Sequence, residues 1–422
     1  MGGADVSAIL VEGGVPLMGT VRIKGAKNAV LPIMAASLLT EEEIILNEVP
    51  DLEDVRTMSR LLRHLGVDVF YDRSDERLVL KAQRITSSTA PYGPVRRMRA
   101  SILIAGPLLA RMGRVRLSLP GGCAIGLRPI DLHLKGLAAM GATFVMKNGY
   151  IEASAPKLRG ANICLDYPSV GATENLLMAA ALAEGPTTIE NAAAEPDVVD
   201  LAAFIDMLGA KVRGAGTPRI SVQPVRSPGG GKHSVIPDRI EAGTFMVAAA
   251  ITGGDILLEN VISRHLTAVT AKLRECGVHV DETPDSLHVV ARGRPRAVEL
   301  KTMPYPGFPT DLQPQFMALL SVARGTSVIA ETVFERRYLH VPALQRMGAR
   351  IHLEGHKAII SGSSLLQGTT VYAPDLRGGA ALVLAAMAAR GVSEIHGVRH
   401  IRRGYSRLTK RLRALGGRVY MG

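Results

Sequence analysis

Apolar positions along this chain follow two alternating periods. Stretches with apolar residues every three or four positions read as helices with one buried face, and each ends in Leu, Met or Cys followed by glycine. The residues after the glycine alternate apolar and polar, as a half-buried strand does. The signature occurs six times, in RHLGVDVFY, AAMGATFVM, DMLGAKVRG, RECGVHVDE, QRMGARIHL and RALGGRVYM. Its glycines are Gly66, Gly141, Gly209, Gly277, Gly348 and Gly416, at spacings of 75, 68, 68, 71 and 68. Glycine adopts the left-handed conformation that ends a helix, so each of the six reads as a helix stop. Upstream in most units stands an alanine-rich helix and a second strand, as in NLLMAAALAEGPTTIENAA, FMVAAAITGGDILLENV and LVLAAMAARGVSEIHGV. There Gly185, Gly253 or Gly254, and Gly391 are the stops.

Units of this size exceed a solenoid repeat and suit α/β supersecondary modules. A chain of 422 residues is also too long for one ordinary core, so three units in each of two pseudo-threefold α/β domains is the expected architecture. The break falls at SPGGGKHSVIPDR, where Gly229, Gly230 and Gly231 read as a flexible turn. They are not a phosphate loop of the Walker type, because Lys232 is followed by His233.

Composition narrows the function. The chain is 47% hydrophobic and 21% charged, which suits packed interiors and argues against disorder. The longest apolar stretches, such as Ala380 to Ala389, fall short of a membrane helix, and the first residues do not resemble a signal peptide. Three cysteines cannot all pair, and they lack metal-ligand spacing, so a reducing cytoplasm is expected. A net charge of +12 would suit nucleic acid, but the chain is 4% aromatic and has no tryptophan for base stacking. Many of its arginines fall at scattered turns, at Arg99, Arg128, Arg239, Arg337, Arg377 and Arg403, and Arg128, Arg377 and Arg403 directly precede a proline or glycine. That distribution suits small anionic ligands.

The segment SLPGGCAIGLRPIDLHLKGL holds the most suggestive chemistry. Pro120, Gly121 and Gly122 free the backbone ahead of Cys123, and Arg128 with Pro129 opens a helix. A helix N-terminus and a guanidinium both favour anions and lower a nearby thiol pKa. Cys164, between Ile163 and Leu165, and Cys276, at a repeat position otherwise held by Leu or Met, read as buried core. Elsewhere Lys27 and Asn28 follow Gly25 ahead of an apolar helix, and Arg99 opens another. Asp311 begins the helix LQPQFMALL, where capping is the default reading of a carboxylate. Asp375 and Arg377, and Arg403 before Gly404, stand at further turn-to-helix junctions.

Together GAKNAVLP, RRMRAS, SLPGGCAIGLRPIDLH, YPSVGATENLLMAAALAEG, AAAEPDVVD, IPDRIEAGTF, FPTDLQPQF, ETVFERRYLHVPAL, APDLRGGAAL and RRGY resemble the enolpyruvyl transferases that act on UDP-N-acetylglucosamine. The likeness runs in order from about residue 8 to 420. It implies two inside-out α/β domains, each of three repeated units, around an interdomain cleft. Residues 27–236 would form one domain, and residues 1–26 with 237–422 the other. It also implies transfer of the carboxyvinyl group of phosphoenolpyruvate, in the first committed step of peptidoglycan synthesis. That step would give the chain a place in cell-wall growth, cell shape and cell division. No metal or redox cofactor is required.

By resemblance, Lys27, Arg128 and Arg403 hold phosphoenolpyruvate under Cys123, the proton donor and the target of the epoxide fosfomycin. Asn28, Arg99 and Arg377 are further contacts of the cleft. Arg128, Pro129, Ile130, Asp131 and Leu132, then Ser169, Val170, Gly171, Asp311 and Val333, match the nucleotide-sugar contacts, with Asp311 as the base. Glu195, Arg239, Phe334 and Arg337 match other cleft positions. Three features depart from the pattern: Tyr167, Arg402 and the pair Gly378-Gly379. Two related readings stand beside this one. A 3-phosphoshikimate enolpyruvyl transferase would lack the GGC loop and carry Lys-Ser where this chain has Lys27-Asn28. A low-activity paralogue would bind the sugar nucleotide and turn over little.

Overall fold

The computed structural model describes residues 7–91, 93, 98–118 and 130–422, with Arg99 through its backbone alone. The described residues divide into two compact units, Gly25 to Ile236 and a second made of the residues up to Lys24 together with Pro237 to Gly422.

One strand wiring recurs three times in each unit. In the first, Gly231–Ser234 runs parallel to Glu43–Asn47, which pairs antiparallel with Arg77–Lys81, and Asp68–Asp72 forms the far edge. Asn162–Cys164, Thr187–Glu190, Arg219–Gln223 and Lys211–Arg213 repeat that order. Arg114–Ser118, Tyr150–Ser154 and Thr143–Lys147 repeat it with a parallel bridge at Thr89 in place of the edge strand. The other unit uses Met18–Arg22, Asp255–Glu259, Ser286–Val290 and His279–Glu282, then Glu299–Lys301, Thr326–Ala330, Lys357–Ser361 and Arg350–Glu354. Its last sheet is Thr370–Tyr372, Val392–His396, Ile9–Glu12 and Arg418–Met421.

The sheets bury one face and expose the other, which is why their residues alternate. The alanine-rich helices lie inside. Arg239–Thr252, Gln313–Ser321 and Leu376–Ala388 pack on one another and are buried almost throughout, so none carries a polar stripe. In the other unit Val170–Ala180 packs on Lys27–Ala36 and Ala105–Met112. Helices inside and sheets outside is the inverse of an ordinary α/β layer. Small side chains permit the close approach: a Cβ on Gly379 would lie 2.7 Å from Ile401 Cγ1. Gly378-Gly379 is therefore a packing feature in the first turn of Leu376–Ala388.

All six repeat glycines adopt positive φ, at 100°, 96°, 104°, 85°, 95° and 91°. Around four of them the chain also protects the edge strand that follows. Arg63 Nη2, Arg274 Nη2 and Gln345 Nε2, each three residues before the glycine, donate to the carbonyls of Val69, Val280 and Ile351, three residues after it. At Gly209 the polarity is reversed, and Val212 N donates to Asp206 Oδ1. Occupying these backbone groups blunts an edge that would otherwise recruit another strand.

Two expectations need correction. Gly231 begins a strand that completes the first sheet of its unit, so the glycine run leads into structure rather than forming only a turn. Cys164 is exposed, because it ends an edge strand and alternates with the buried Ile163 and Leu165. Cys276 is 1% exposed and lies in the core. Among the described residues no helix is long and apolar enough to cross a membrane.

Candidate active site

In the unit Gly25 to Ile236, Lys27 is the first residue of Lys27–Ala36 and Asn28 the second. Lys27 Nζ lies 3.0 Å from Asp54 Oδ2, with both side chains largely buried. Asp54, which the sequence reading missed, stands in the first turn of Glu53–Leu65. Pro32 has no N–H, so the Asn28 carbonyl four residues back loses its usual helical donor.

Arg99 begins the short helix Arg99–Ile104. Ile130 precedes the helix Asp131–Ala139, whose second residue is Leu132. Ser169 caps Val170–Ala180, its Oγ accepting from Ala172 N at 3.3 Å. These two helix starts are neighbours. A Cβ on Gly171 would lie 3.3 Å from His133 Cε1, and His133 Nδ1 is 3.1 Å from Asn175 Nδ2. Two adjacent helix N-termini present backbone N–H groups suited to an anion. Glu195 immediately precedes the next helix, Pro196–Met207, close to the buried Asp197 and Glu174. Burial, then the charges of Asp197 and Glu195, hold the Glu174 carboxyl well above the usual range. Cys123, Arg128 and Pro129 lie outside the described residues.

In the other unit the centre is a carboxylate between two guanidinium groups. Asp311 Oδ1 accepts from Arg337 Nη2 at 2.8 Å, and Oδ2 accepts from Arg377 Nη2 at 3.0 Å and Nε at 3.2 Å. Asp311 lies in the short turn Thr310–Leu312 and makes no capping bond, so the default reading gives way to an ion-pair role. Arg337 is 2% and Arg377 3% exposed. Asp311 is the carboxylate bonded to both cations. Arg337 Nε and Nη1 and Arg377 Nη1 have no hydrogen-bond partner among the described residues. The arrangement therefore retains capacity for an anion.

Its support comes from several elements. Asp375 caps Leu376–Ala388 through the N–H groups of Arg377 and Gly378, both at 2.9 Å. The Arg377 guanidinium lies 5.4 Å from the Tyr405 ring centre, and the Tyr405 hydroxyl meets Thr244 Oγ1 at 2.9 Å and Gln315 Nε2 at 3.0 Å. Arg403 lies in the turn after Val398–Ile401, and a Cβ on its neighbour Gly404 would meet Leu376 Cδ2 at 2.7 Å. That turn thus packs beside Arg377. Val333 is half-buried, with its N–H on Glu331 Oε1 at 2.9 Å.

His340, fully buried beside this cluster, supplies a pH test. Burial pushes its imidazole down to about 4, Asp375 opposes the shift and Arg337 adds to it. The unfolded chain takes up this proton near pH 6.5 and the folded protein only near 4, so stability falls as pH drops between those values. The loss is up to about 3 kcal/mol from this group. Thermal melts between pH 4 and 7 are expected to show a shallower fall for His340→Leu than for the wild type. Equal slopes would show that His340 does not carry the effect.

The wiring and the helices-inside packing define a class. The solved structure of the enolpyruvyl transferase NikO from Streptomyces tendae superimposes with a TM-score of 0.89 at 25% identity, covering 98% of each chain. EPSP synthase from Acinetobacter baumannii shares the fold, with a TM-score of 0.75 at 18% identity and 99% coverage of each chain. A family model described as EPSP synthase (3-phosphoshikimate 1-carboxyvinyltransferase) matches residues 11–412. The chain belongs to this enolpyruvyl transferase family. Within it, the chain is 54% identical over 411 residues to "UDP-N-acetylglucosamine 1-carboxyvinyltransferase 1" of Caldanaerobacter subterraneus subsp. tengcongensis, covering 97% of this chain and 98% of the relative. It is 55% identical over 412 residues to "UDP-N-acetylglucosamine 1-carboxyvinyltransferase 2" of Carboxydothermus hydrogenoformans, with the same coverage.

Proposed function

We infer that this protein transfers the enolpyruvyl group of phosphoenolpyruvate to the 3-hydroxyl of UDP-N-acetylglucosamine and releases phosphate. The observation that carries the reading is identity above one half, over 97% of the chain, with two relatives named for that reaction. Both substrates are anions, which suits the two part-satisfied arginines around Asp311 and the paired helix starts at Asp131 and Val170.

The chemistry requires a proton on carbon 3 of phosphoenolpyruvate as the sugar oxygen bonds to carbon 2. Cys123 is the acid, and its thiolate can also add to carbon 2. Asp311 takes the proton of the sugar hydroxyl. Lys27, Arg128 and Arg403 hold the phosphate and carboxylate, with Asn28, Arg99 and Arg377 beside them. Loss of a carbon-3 proton and of phosphate from carbon 2 then restores the double bond. Pro129, Ile130, Asp131, Leu132, Ser169, Val170, Gly171 and Val333 contact the sugar nucleotide. The work is cytoplasmic and serves cell-wall synthesis.

The test is phosphate release from phosphoenolpyruvate with each acceptor. Turnover with UDP-N-acetylglucosamine and none with 3-phosphoshikimate is expected. Equal or faster turnover with the shikimate ester would end the assignment.

A further inference from the structure

Glu331 has no part in the reaction as written, yet it is the most heavily bonded carboxylate near Asp311. It follows the strand Thr326–Ala330 and is 3% exposed. Its Oε1 accepts from Thr302 Oγ1 at 2.8 Å, Val333 N at 2.9 Å and Phe334 N at 3.2 Å. Its Oε2 accepts from Thr310 Oγ1 at 2.9 Å. Thr302 Oγ1 in turn accepts from Thr332 N at 3.0 Å. A buried carboxylate surrounded by donors suits an acceptor-only group, and any replacement carrying N–H would oppose one of them.

These bonds, with the Arg337 N–H donating to the Phe334 carbonyl at 3.3 Å, close a ring. Glu331 holds Thr310, which adjoins Asp311 in the chain. Asp311 accepts from Arg337, whose guanidinium lies 5.6 Å from the Phe334 ring centre. The Phe334 N–H returns to Glu331. Asp311 is thus placed from its backbone side through Thr310 and at Oδ1 through Arg337, and these two routes both lead to Glu331, while Arg377 holds Oδ2 separately. The Val333 segment is set by the same group.

We propose that Glu331 is a positioning residue for transfer, holding Asp311 and Val333 in register for the acceptor hydroxyl. The proposal rests on the function inferred above. It assigns Glu331 to acceptor geometry, with no contact to phosphoenolpyruvate.

The test uses Glu331→Gln, Glu331→Asp, Asp311→Ala and the double variant Glu331→Gln with Asp311→Ala in the full chain. Glu331→Gln is expected to lower kcat about 100-fold, the scale of a misplacement near 1 Å. It is expected to raise KM for UDP-N-acetylglucosamine and leave KM for phosphoenolpyruvate within about twofold. Glu331→Asp should recover part of kcat. In the Asp311→Ala background the same change should cost less than about threefold, because the route through Asp311 is already lost. Additive losses, or equal rises in both KM values, would reduce Glu331 to a structural residue. Hydrogen exchange supplies an arm that needs no turnover: in Glu331→Gln, segments 309–312 and 332–335 should exchange faster together, with the rest of the unit unchanged. Unchanged exchange at 309–312 overturns the proposal whatever the activity. Coupled exchange in a wild type that ignores UDP-N-acetylglucosamine would instead uphold the ring and refute the functional reading.

Discussion

Cys123→Ser is expected to lower phosphate release by at least about 100-fold, since a hydroxyl is a far weaker acid than a thiol. Cys123→Asp should keep measurable activity, because a carboxyl group can still deliver the proton. The epoxide fosfomycin should alkylate the wild type on the peptide SLPGGCAIGLR, and faster with UDP-N-acetylglucosamine present. It should leave both variants unmodified. The other two thiols are built-in controls. Burial, then the charge of Glu275, pushes the Cys276 thiol up to about 12, which withholds its thiolate. Cys164 is exposed on an edge strand, so a general thiol reagent reaches it. Peptide mass spectrometry separates the three. A fosfomycin adduct on Cys164 or Cys276 instead of Cys123, or full turnover by Cys123→Ser, would remove Cys123 from the chemistry.

Asp311→Ala should lose both stability and turnover. The change leaves Arg337 and Arg377 buried without their shared carboxylate, and breaking such a pair costs about 3–5 kcal/mol. The lower end applies, because the Asp311 side chain keeps 25% exposure. Turnover should fall by about 10²–10⁴ through loss of the base. Asp311→Asn separates the two effects. It retains an acceptor oxygen for one guanidinium, so denaturant melts should show a smaller loss, while phosphate release stays as low as in Asp311→Ala. An asparagine variant with near-normal turnover would make Asp311 a structural counter-ion, and an alanine variant with unchanged melting would deny even that.

The sequence by itself determined the local architecture, because its signals are short-range. A left-handed residue is needed where each amphipathic helix stops, and glycine supplies it at all six repeats. Alternation then marks a strand with one wet face, and alanine-rich runs mark helices that must approach closely. Arginines at turns and helix starts point to anion chemistry for the same local reason. Tertiary structure decided whatever depends on partners far along the chain. Gly231–Ser234 closes a sheet begun near residue 43, and Ile9–Glu12 enters a sheet with residues beyond 390, which no window around either segment reveals. Cys164 reads as core from its neighbours, yet its strand lies at an edge, and edge position follows from pairing alone. Asp311 looks like a helix cap until Arg337 and Arg377 arrive from 26 and 66 residues away. Glu331 gave no signal at all, because a buried carboxylate is recognised by the donors folded around it, and those come from four separate positions.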